Sequence, residues 1–237
     1  GVMNSIGLEN VGIEKFLSAK LPFLARSGAT VIPNVAGHSI EENVELCNAL
    51  GSESAVAALE LNVSCPNVKE GGLSFAKDEC ALRELVAGCR AVTAKALIVK
   101  LSPNVDDISR SAKAAMESGA DAVSAVNTFL GMKIDLKTRK PYFANLVAGV
   151  SGPAIRPIAV RMVWEIASKA KVPVLGMGGI ASADDALEFL MAGASAVSIG
   201  SASMADPTAP FRILADLDAW CEKNRTPMRD ITGCAFK

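Results

Sequence analysis

The sequence has very little with which to hold a metal ion. It contains one histidine, His38, and six cysteines scattered at 47, 65, 80, 89, 221 and 234 without a CxxC pair. Zinc sites cluster Cys and His at short spacing, so the pattern argues against structural zinc. Scattered cysteines in a chain of 237 residues read instead as free thiols in a reducing compartment. Charge of one sign is also missing. Twenty-four Lys and Arg face 25 Asp and Glu, a formal net charge of -1, which leaves no electrostatic footprint for nucleic acid. No apolar run approaches the ~18 residues of a membrane span. The opening Gly1-Val2-Met3-Asn4-Ser5 lacks the basic region and apolar stretch of a signal peptide. These absences together predict a cytoplasmic protein. No linker, charge block or low-complexity tract divides the chain, so residues 1–237, half of them apolar, read as a single domain with one large core.

What is present is an alternation of short β-branched runs and helical patterns. Six runs read as strands: Thr30 to Val35, Ala58 to Val63, Ala96 to Leu101, Ala122 to Asn127, Val172 to Leu175 and Ala196 to Ile199. They are nearly continuously apolar, as parallel strands covered on both faces should be. Helix starts lie between them. Ser39 with Glu42 is a capping-box pattern before Ile40 to Leu50, with Gly51 at its end. Asp106 and Asp107 sit where a first turn favours negative charge, with Gly119 beyond that helix, and Ser182 with Asp184 and Asp185 opens a helix closed by Gly193. The alternation means a parallel α/β fold.

A dinucleotide fold would carry G-x-G-x-x-G after its first strand, and no such motif exists here. Polar or glycine-rich residues instead end every strand: Asn34, Asn62 with Cys65, Lys100, Asn127, Gly178-Gly179 and Gly200-Ser201. Barrel enzymes place their chemistry at that rim, so a TIM (β/α)8 barrel is expected. Six strands are too few to close eight, and Asn4 to Gly7 resembles a βα loop rather than a strand. The expectation is therefore an N-terminally incomplete barrel whose first two strands lie upstream, with exposed edges.

Each constellation at the rim has a chemical and a plain reading. Gly176-Met177-Gly178-Gly179-Ile180 and Gly200-Ser201 follow the last two strands, where glycine backbone and the helix N-termini beyond suit a phosphate; the plain reading is two ordinary turns. Lys100 ends an apolar strand and needs a counter-charge or an anionic ligand. It could form a Schiff base, stabilise a reduced flavin, or merely snorkel to the rim. Asn62-Val63-Ser64-Cys65-Pro66-Asn67 puts a cysteine between two amides that suit the edges of a planar heterocycle, and a tuned thiol there can act as base or nucleophile. The plain reading is an Asx turn with an inert thiol. Asn127-Thr128 and Asn4 add further amide and hydroxyl groups. His38 reads as a surface or cap residue and the eight methionines as core fillers.

Taken in order, these segments resemble the class 1 dihydroorotate dehydrogenases over roughly residues 1 to 220. The likeness rests on Asn4-Ser5-Ile6-Gly7-Leu8, Asn34-Val35-Ala36-Gly37, Glu60 to Asn67, Val99-Lys100-Leu101-Ser102-Pro103, Asn127-Thr128, Gly178-Gly179-Ile180 and Gly200-Ser201. The resemblance implies FMN as cofactor and oxidation of dihydroorotate to orotate in pyrimidine biosynthesis. It implies Cys65 as the base at C5, with hydride leaving C6 for flavin N5. Lys100 and Asn62 match residues at the flavin, and Asn34, Val126, Gly152, Gly178, Gly179, Gly200 and Ser201 match further flavin-binding positions. Asn4, Ser5, Ile6, Gly7, Leu8, Asn62, Asn127 and Thr128 match the substrate cradle. Ser201 stands where a threonine is usual. A flavin-contacting serine and a substrate-binding lysine that the family carries near its first strands have no counterpart in this sequence.

The stretch from Gly131 to Pro141 looks like the NAD-linked subclass, 1B, which implies a partner subunit carrying FAD and an iron–sulfur cluster, in a homodimer or heterotetramer. Four other readings stay open: the fumarate-using subclass, a dihydropyrimidine dehydrogenase-like flavoprotein, an inactive fragment, and a lyase barrel with a Schiff base on Lys100.

Overall fold

The computed structural model describes residues 1–64 and 75–236. Along the chain, β1 (Val2–Asn4) precedes a helical segment in which α1 (Ile13–Lys15) passes through a wide turn at Phe16–Lys20 into α2 (Leu21–Arg26). Alternation follows: β2 (Asn34–Val35), α3 (Ile40–Gly51), β3 (Ala58–Asn62), α4 (Glu79–Val92), β4 (Ala96–Lys100), α5 (Ile108–Glu117) and β5 (Ala122–Ala125). Four short strands come next: β6 (Phe129–Gly131), β7 (Ile134–Asp135), β8 (Lys140–Pro141) and β9 (Ala148–Ser151). Alternation resumes with α6 (Arg156–Glu165), β10 (Val174–Met177), α7 (Ala183–Met191), β11 (Ala196–Ser198) and α8 (Ser201–Ala205), and α9 (Ala209–Asn224) and α10 (Met228–Ile231) complete the helices. Among the described residues no helix is long and apolar enough to cross a membrane.

The chain forms two compact units interleaved in sequence. The N-terminal unit holds Ile6–Leu101 and Arg110–Val123; the C-terminal unit holds Gly1–Ser5, Ser102–Ser109 and the chain from Ser124 onward. In the N-terminal unit, β2, β3 and β4 pair in parallel, with Asn34 opposite Glu60 and Asn62 opposite Lys100. Paired residues share a face, so Leu59, Leu61, Leu97 and Val99 point away from Glu60, Asn62 and Lys100. All four are fully buried, each contributing about 1.5–3 kcal/mol by leaving water. The two helices α3 and α4 pack on each other through Cys47, Leu50, Leu82, Leu85, Val86 and Cys89. The Cys47 and Cys89 thiols share a hydrogen bond there, which holds Cys47 below the usual thiol range; the same bond, with burial, pushes Cys89 above it. Just ahead of β5, the Asp121 N–H donates to the Leu97 carbonyl at 2.8 Å, and its carboxylate accepts from Leu97 N–H and Arg90.

The C-terminal unit combines two kinds of sheet. Parallel strands β10 and β11 pair with Met177 opposite Ser198. Just beyond β5, Val126 N–H donates to the Met177 carbonyl at 2.9 Å. An antiparallel sheet orders β1, β9 and β6, with Asn4 and Leu130 both opposite Gly149. A hairpin pairs β7 with β8, and Lys133 lies 4.6 Å over the Tyr142 ring. The C-terminal segment docks on this unit: Ile231 is buried, Gly233 N–H donates to the Leu190 carbonyl, and Phe236 stacks on Trp164.

Several sequence expectations shift. The run Thr30 to Val35 yields a strand only at Asn34–Val35, because Pro33 has no N–H to donate; its carbonyl still accepts from Glu60 N–H, and Val31 keeps an isolated bridge to Val56. Likewise β10 starts after Pro173. Asn4, expected in a loop, ends β1. The Ser39 hydroxyl caps Glu42 N–H as expected, but the Glu42 carboxylate accepts from His38 N–H, one residue before the reciprocal bond of a capping box. The full box forms at Ser182 and Asp185 instead. Of the eight methionines only Met162 belongs to the buried core, while Met132 and Met204 are exposed.

Candidate active site

The strand ends of the N-terminal unit carry a side-chain cluster. β2 and β3 place Asn34 opposite Glu60, and the Asn34 amide donates to Glu60 Oε2 at 2.6 Å. The same carboxylate oxygen lies 3.9 Å from Lys100 Nζ, on the neighbouring strand. Their side chains are only 12% and 22% exposed, so water screens this pair little. Asn62 donates over a long 3.4 Å to Asn34 Oδ1 and accepts from Ser64 N–H, and Ser64 Oγ donates to the Lys100 carbonyl. The sequence-predicted flavin residues Asn34, Asn62 and Lys100 are thus brought together, and the counter-charge that Lys100 requires is Glu60. Cys65, with Pro66 and Asn67, lies outside the described residues.

The C-terminal unit supplies a second cluster, made of backbone. Gly152, Gly178 and Gly179 all have positive φ, at 90°, 126° and 86°. A Cβ on Gly179 would lie 2.7 Å from the Gly152 carbonyl oxygen, and one on Gly178 would lie 2.9 Å from Ala159 Cβ and 3.5 Å from Val126 Cγ2. Four predicted flavin residues, Val126, Gly152, Gly178 and Gly179, therefore converge. Gly200 and Ser201 follow β11 beside them, since Met177 and Ser198 are strand partners. A Cβ on Gly200 would meet no atom within 4 Å.

The opening of α7 is satisfied by its own residues: Ser182 Oγ accepts from Asp185 N–H, and the Asp185 carboxylate accepts from Ala181 and Ser182 N–H and pairs with Arg156. The five residues of α8 carry little dipole.

The predicted substrate residues divide. In the C-terminal unit, Asn4 lies opposite Gly149 on one side of β9, and the Thr128 side chain closes on Gly149, where a Cβ would sit 2.4 Å from Thr128 Oγ1. Asn127 Oδ1 accepts from Thr128 N–H at 2.8 Å, and Ser5 Oγ accepts from Asn145 Nδ2 at 2.9 Å. In the N-terminal unit, Ile6 and Leu8 are exposed, with Gly7 and Leu8 at positive φ. Asn10 Nδ2 donates to the Leu8 carbonyl there.

The family model for dihydroorotate dehydrogenase matches residues 1–220. The chain belongs to the dihydroorotate dehydrogenase family. A dihydroorotate dehydrogenase B (NAD(+)) catalytic subunit of Pelobacter propionicus is 51% identical over 224 residues, covering 94% of this chain and 74% of that protein. The subunit of the same name from Geobacter metallireducens is 47% identical over 234 residues, covering 98% of this chain and 77% of that one. Among solved structures, that of DHODH in complex with ferulenol from Eimeria tenella matches with a TM-score of 0.79 at 18% identity, covering 99% of this chain and 71% of its own. That likeness gives the fold, the α/β barrel expected from the strand ends.

Dihydroorotate dehydrogenases are flavin-dependent oxidoreductases, and this chain is one of that family's enzymes. Each unit carries residues of a kind that suits such a cofactor: open space beside Gly200 among the described residues of one, and the Lys100 cation at a strand end of the other. Three residues received no role in the sequence reading. Glu60 is a carboxylate inside the apolar run Ala58-Leu59-Glu60-Leu61, on the same face as Asn62, and that placement was the available signal. Asn104 donates to the Thr128 carbonyl at 3.0 Å and accepts from Leu130 N–H at 3.1 Å, fixing the loop after β5. Arg156 braces Asp185 under the glycine turn; neither of the last two left a local mark.

Proposed function

We propose that the chain, acting as one barrel domain, catalyses the FMN-dependent oxidation of (S)-dihydroorotate to orotate in de novo pyrimidine biosynthesis. The observation that carries this reading is the family match over residues 1–220, joined by relatives of about half identity that bear the name dihydroorotate dehydrogenase B (NAD(+)), catalytic subunit. FMN, when bound, supplies the two-electron acceptor for the hydride that leaves C6 of the substrate.

Everything else is asked of the chain itself. The Cys65 thiolate takes the proton from C5 as the general base. Lys100 holds a fixed positive charge for the flavin ring, where electrostatic stabilisation is worth most in a site of low exposure. Asn34 and Asn62 offer amide donors and acceptors matched to a planar heterocycle. Val126, Gly152, Gly178, Gly179, Gly200 and Ser201 hold the remainder of the cofactor, the glycines by letting it approach the backbone. Asn4, Ser5, Ile6, Gly7, Leu8, Asn62, Asn127 and Thr128 hold the substrate's carboxylate and ring amides. A partner subunit bearing FAD and an iron–sulfur cluster would pass the electrons on to NAD, in a cytoplasmic homodimer or heterotetramer. The relatives' names support the NAD linkage.

The test is an anaerobic visible spectrum of the protein with FMN, before and after dihydroorotate. Bleaching of the flavin band is expected. A bound flavin that stays yellow on addition of dihydroorotate would overturn the substrate assignment.

A further inference from the structure

The ion pair at the strand ends has a consequence for redox chemistry. Lys100 meets one carboxylate, Glu60, at 3.9 Å, and that carboxylate is itself held by the Asn34 amide at 2.6 Å. Strand pairing enforces the triad: Asn34 is opposite Glu60, Glu60 shares a face with Asn62, and Asn62 is opposite Lys100. Both charged side chains are largely withdrawn from water, so their mutual field is screened less than that of a surface pair.

A carboxylate in this position does two things to a neighbouring cation. It fixes where the ammonium sits, and so it limits how much of the ammonium's positive potential reaches anything beyond it. A lysine alone would favour the anionic reduced form of a flavin without restraint; a lysine tied to a glutamate favours it less. We propose that Glu60 is a positioning residue that, through Lys100, sets the reduction potential of the bound flavin below the value Lys100 alone would impose. This rests on the reading of Lys100 as the residue at the flavin. It concerns the balance between the two halves of the reaction: a lower potential weakens the pull on substrate electrons and eases their departure to the next acceptor.

The experiment measures the midpoint potential of FMN bound to the full chain, anaerobically, in four proteins: unchanged, Glu60→Gln, Lys100→Gln and the double variant. Glu60→Gln keeps the shape and an acceptor for Asn34 and removes only the charge. It should raise the potential, favouring reduced over oxidised FMN by about tenfold, or about 30 mV for a two-electron couple. Lys100→Gln should lower the potential, and in that background Glu60→Gln should add little. Glu60→Asp, which keeps the charge but draws it back by one methylene, should shift the potential in the same direction by less, and serves if Glu60→Gln does not fold.

If Lys100→Gln lowers the potential and Glu60→Gln leaves it unchanged, the role of Glu60 is overturned while that of Lys100 stands. If Glu60→Gln raises it equally with and without Lys100, transmission through Lys100 is overturned. If neither substitution moves it, the placement of Lys100 at the flavin falls, and this inference with it. A fall in potential with Glu60→Gln overturns the proposed sign.

Discussion

At the strand ends of the N-terminal unit the polar chemistry belongs to side chains, Asn34, Glu60, Asn62 and Lys100; at those of the C-terminal unit it belongs to backbone, at Gly152, Gly178, Gly179 and Gly200. The first arrangement offers charges and amides, whose strength depends on which functional group stands at each position. The second offers peptide N–H groups, whose availability depends on there being no side chain at all. One site type is damaged by removing atoms and the other by adding them. A planar ring that must accept electrons suits the first, and an anionic tail suits the second.

Substitutions can break this contrast. The largest effect is expected on the side-chain side, at Cys65, which follows the Asn62 cluster in the chain. Cys65→Ala should leave FMN bound and slow its reduction by dihydroorotate about 10³-fold, within the usual range for loss of a general base; anaerobic stopped-flow absorbance reads it, and normal reduction would remove Cys65 from the mechanism. Next comes the backbone side. Gly179→Ala places a Cβ 2.7 Å from the Gly152 carbonyl oxygen at a φ of +86°, costing about 2 kcal/mol in strain and lowering Tm by about 4–8 °C. Gly200→Ala adds a Cβ where no protein atom lies within 4 Å. It should leave the Tm of the flavin-free protein unchanged and weaken FMN binding by about tenfold; a lower flavin-free Tm with undiminished affinity would count against a backbone cradle at that turn.

Smaller effects sharpen the comparison further. Asn104→Ala strips both loop bonds, to the Thr128 carbonyl and the Leu130 N–H. At about 1 kcal/mol it should raise the KM for dihydroorotate roughly fivefold and leave FMN affinity alone; equal losses in both would mean the loop serves the cofactor. Smallest is Asp206, a half-buried control outside both clusters. The Thr208 hydroxyl, then Arg212, holds its carboxyl down from 3.8 to about 2. A depressed carboxylate contributes stability that is present above its unfolded value and lost as pH falls through the folded one. Asp206→Asn should therefore lower stability slightly at neutral pH, flatten its fall between pH 3.8 and about 2, and match the unchanged protein below that; circular dichroism during acid titration checks it.

Much of this was legible along the chain. The runs Ala58 to Val63 and Ala96 to Leu101 read as parallel strands because they are nearly continuously apolar, and the structure puts strands at Ala58–Asn62 and Ala96–Lys100. The helix start at Ser182 was equally local, although the full capping box was expected at Ser39 and forms at Ser182. The antiparallel sheet was not legible. β1 and β9 are short, β9 contains a glycine, and their pairing joins the two ends of a long stretch of chain, so no local period announces it. Glu60 stood in the quoted motif but received no role, because a single carboxylate in a strand has no meaning until its neighbours are known.

The sequence by itself determined the order of strands and helices, the residue types at the strand ends and the family, because periodicity, capping and motif spacing are written in consecutive residues. Tertiary structure alone decided that Glu60 faces Lys100, that the Gly152 carbonyl crowds Gly179, and that Asn104 holds the loop after β5. Those contacts depend on register and on chain crossings between distant segments, and only pairing and packing specify them.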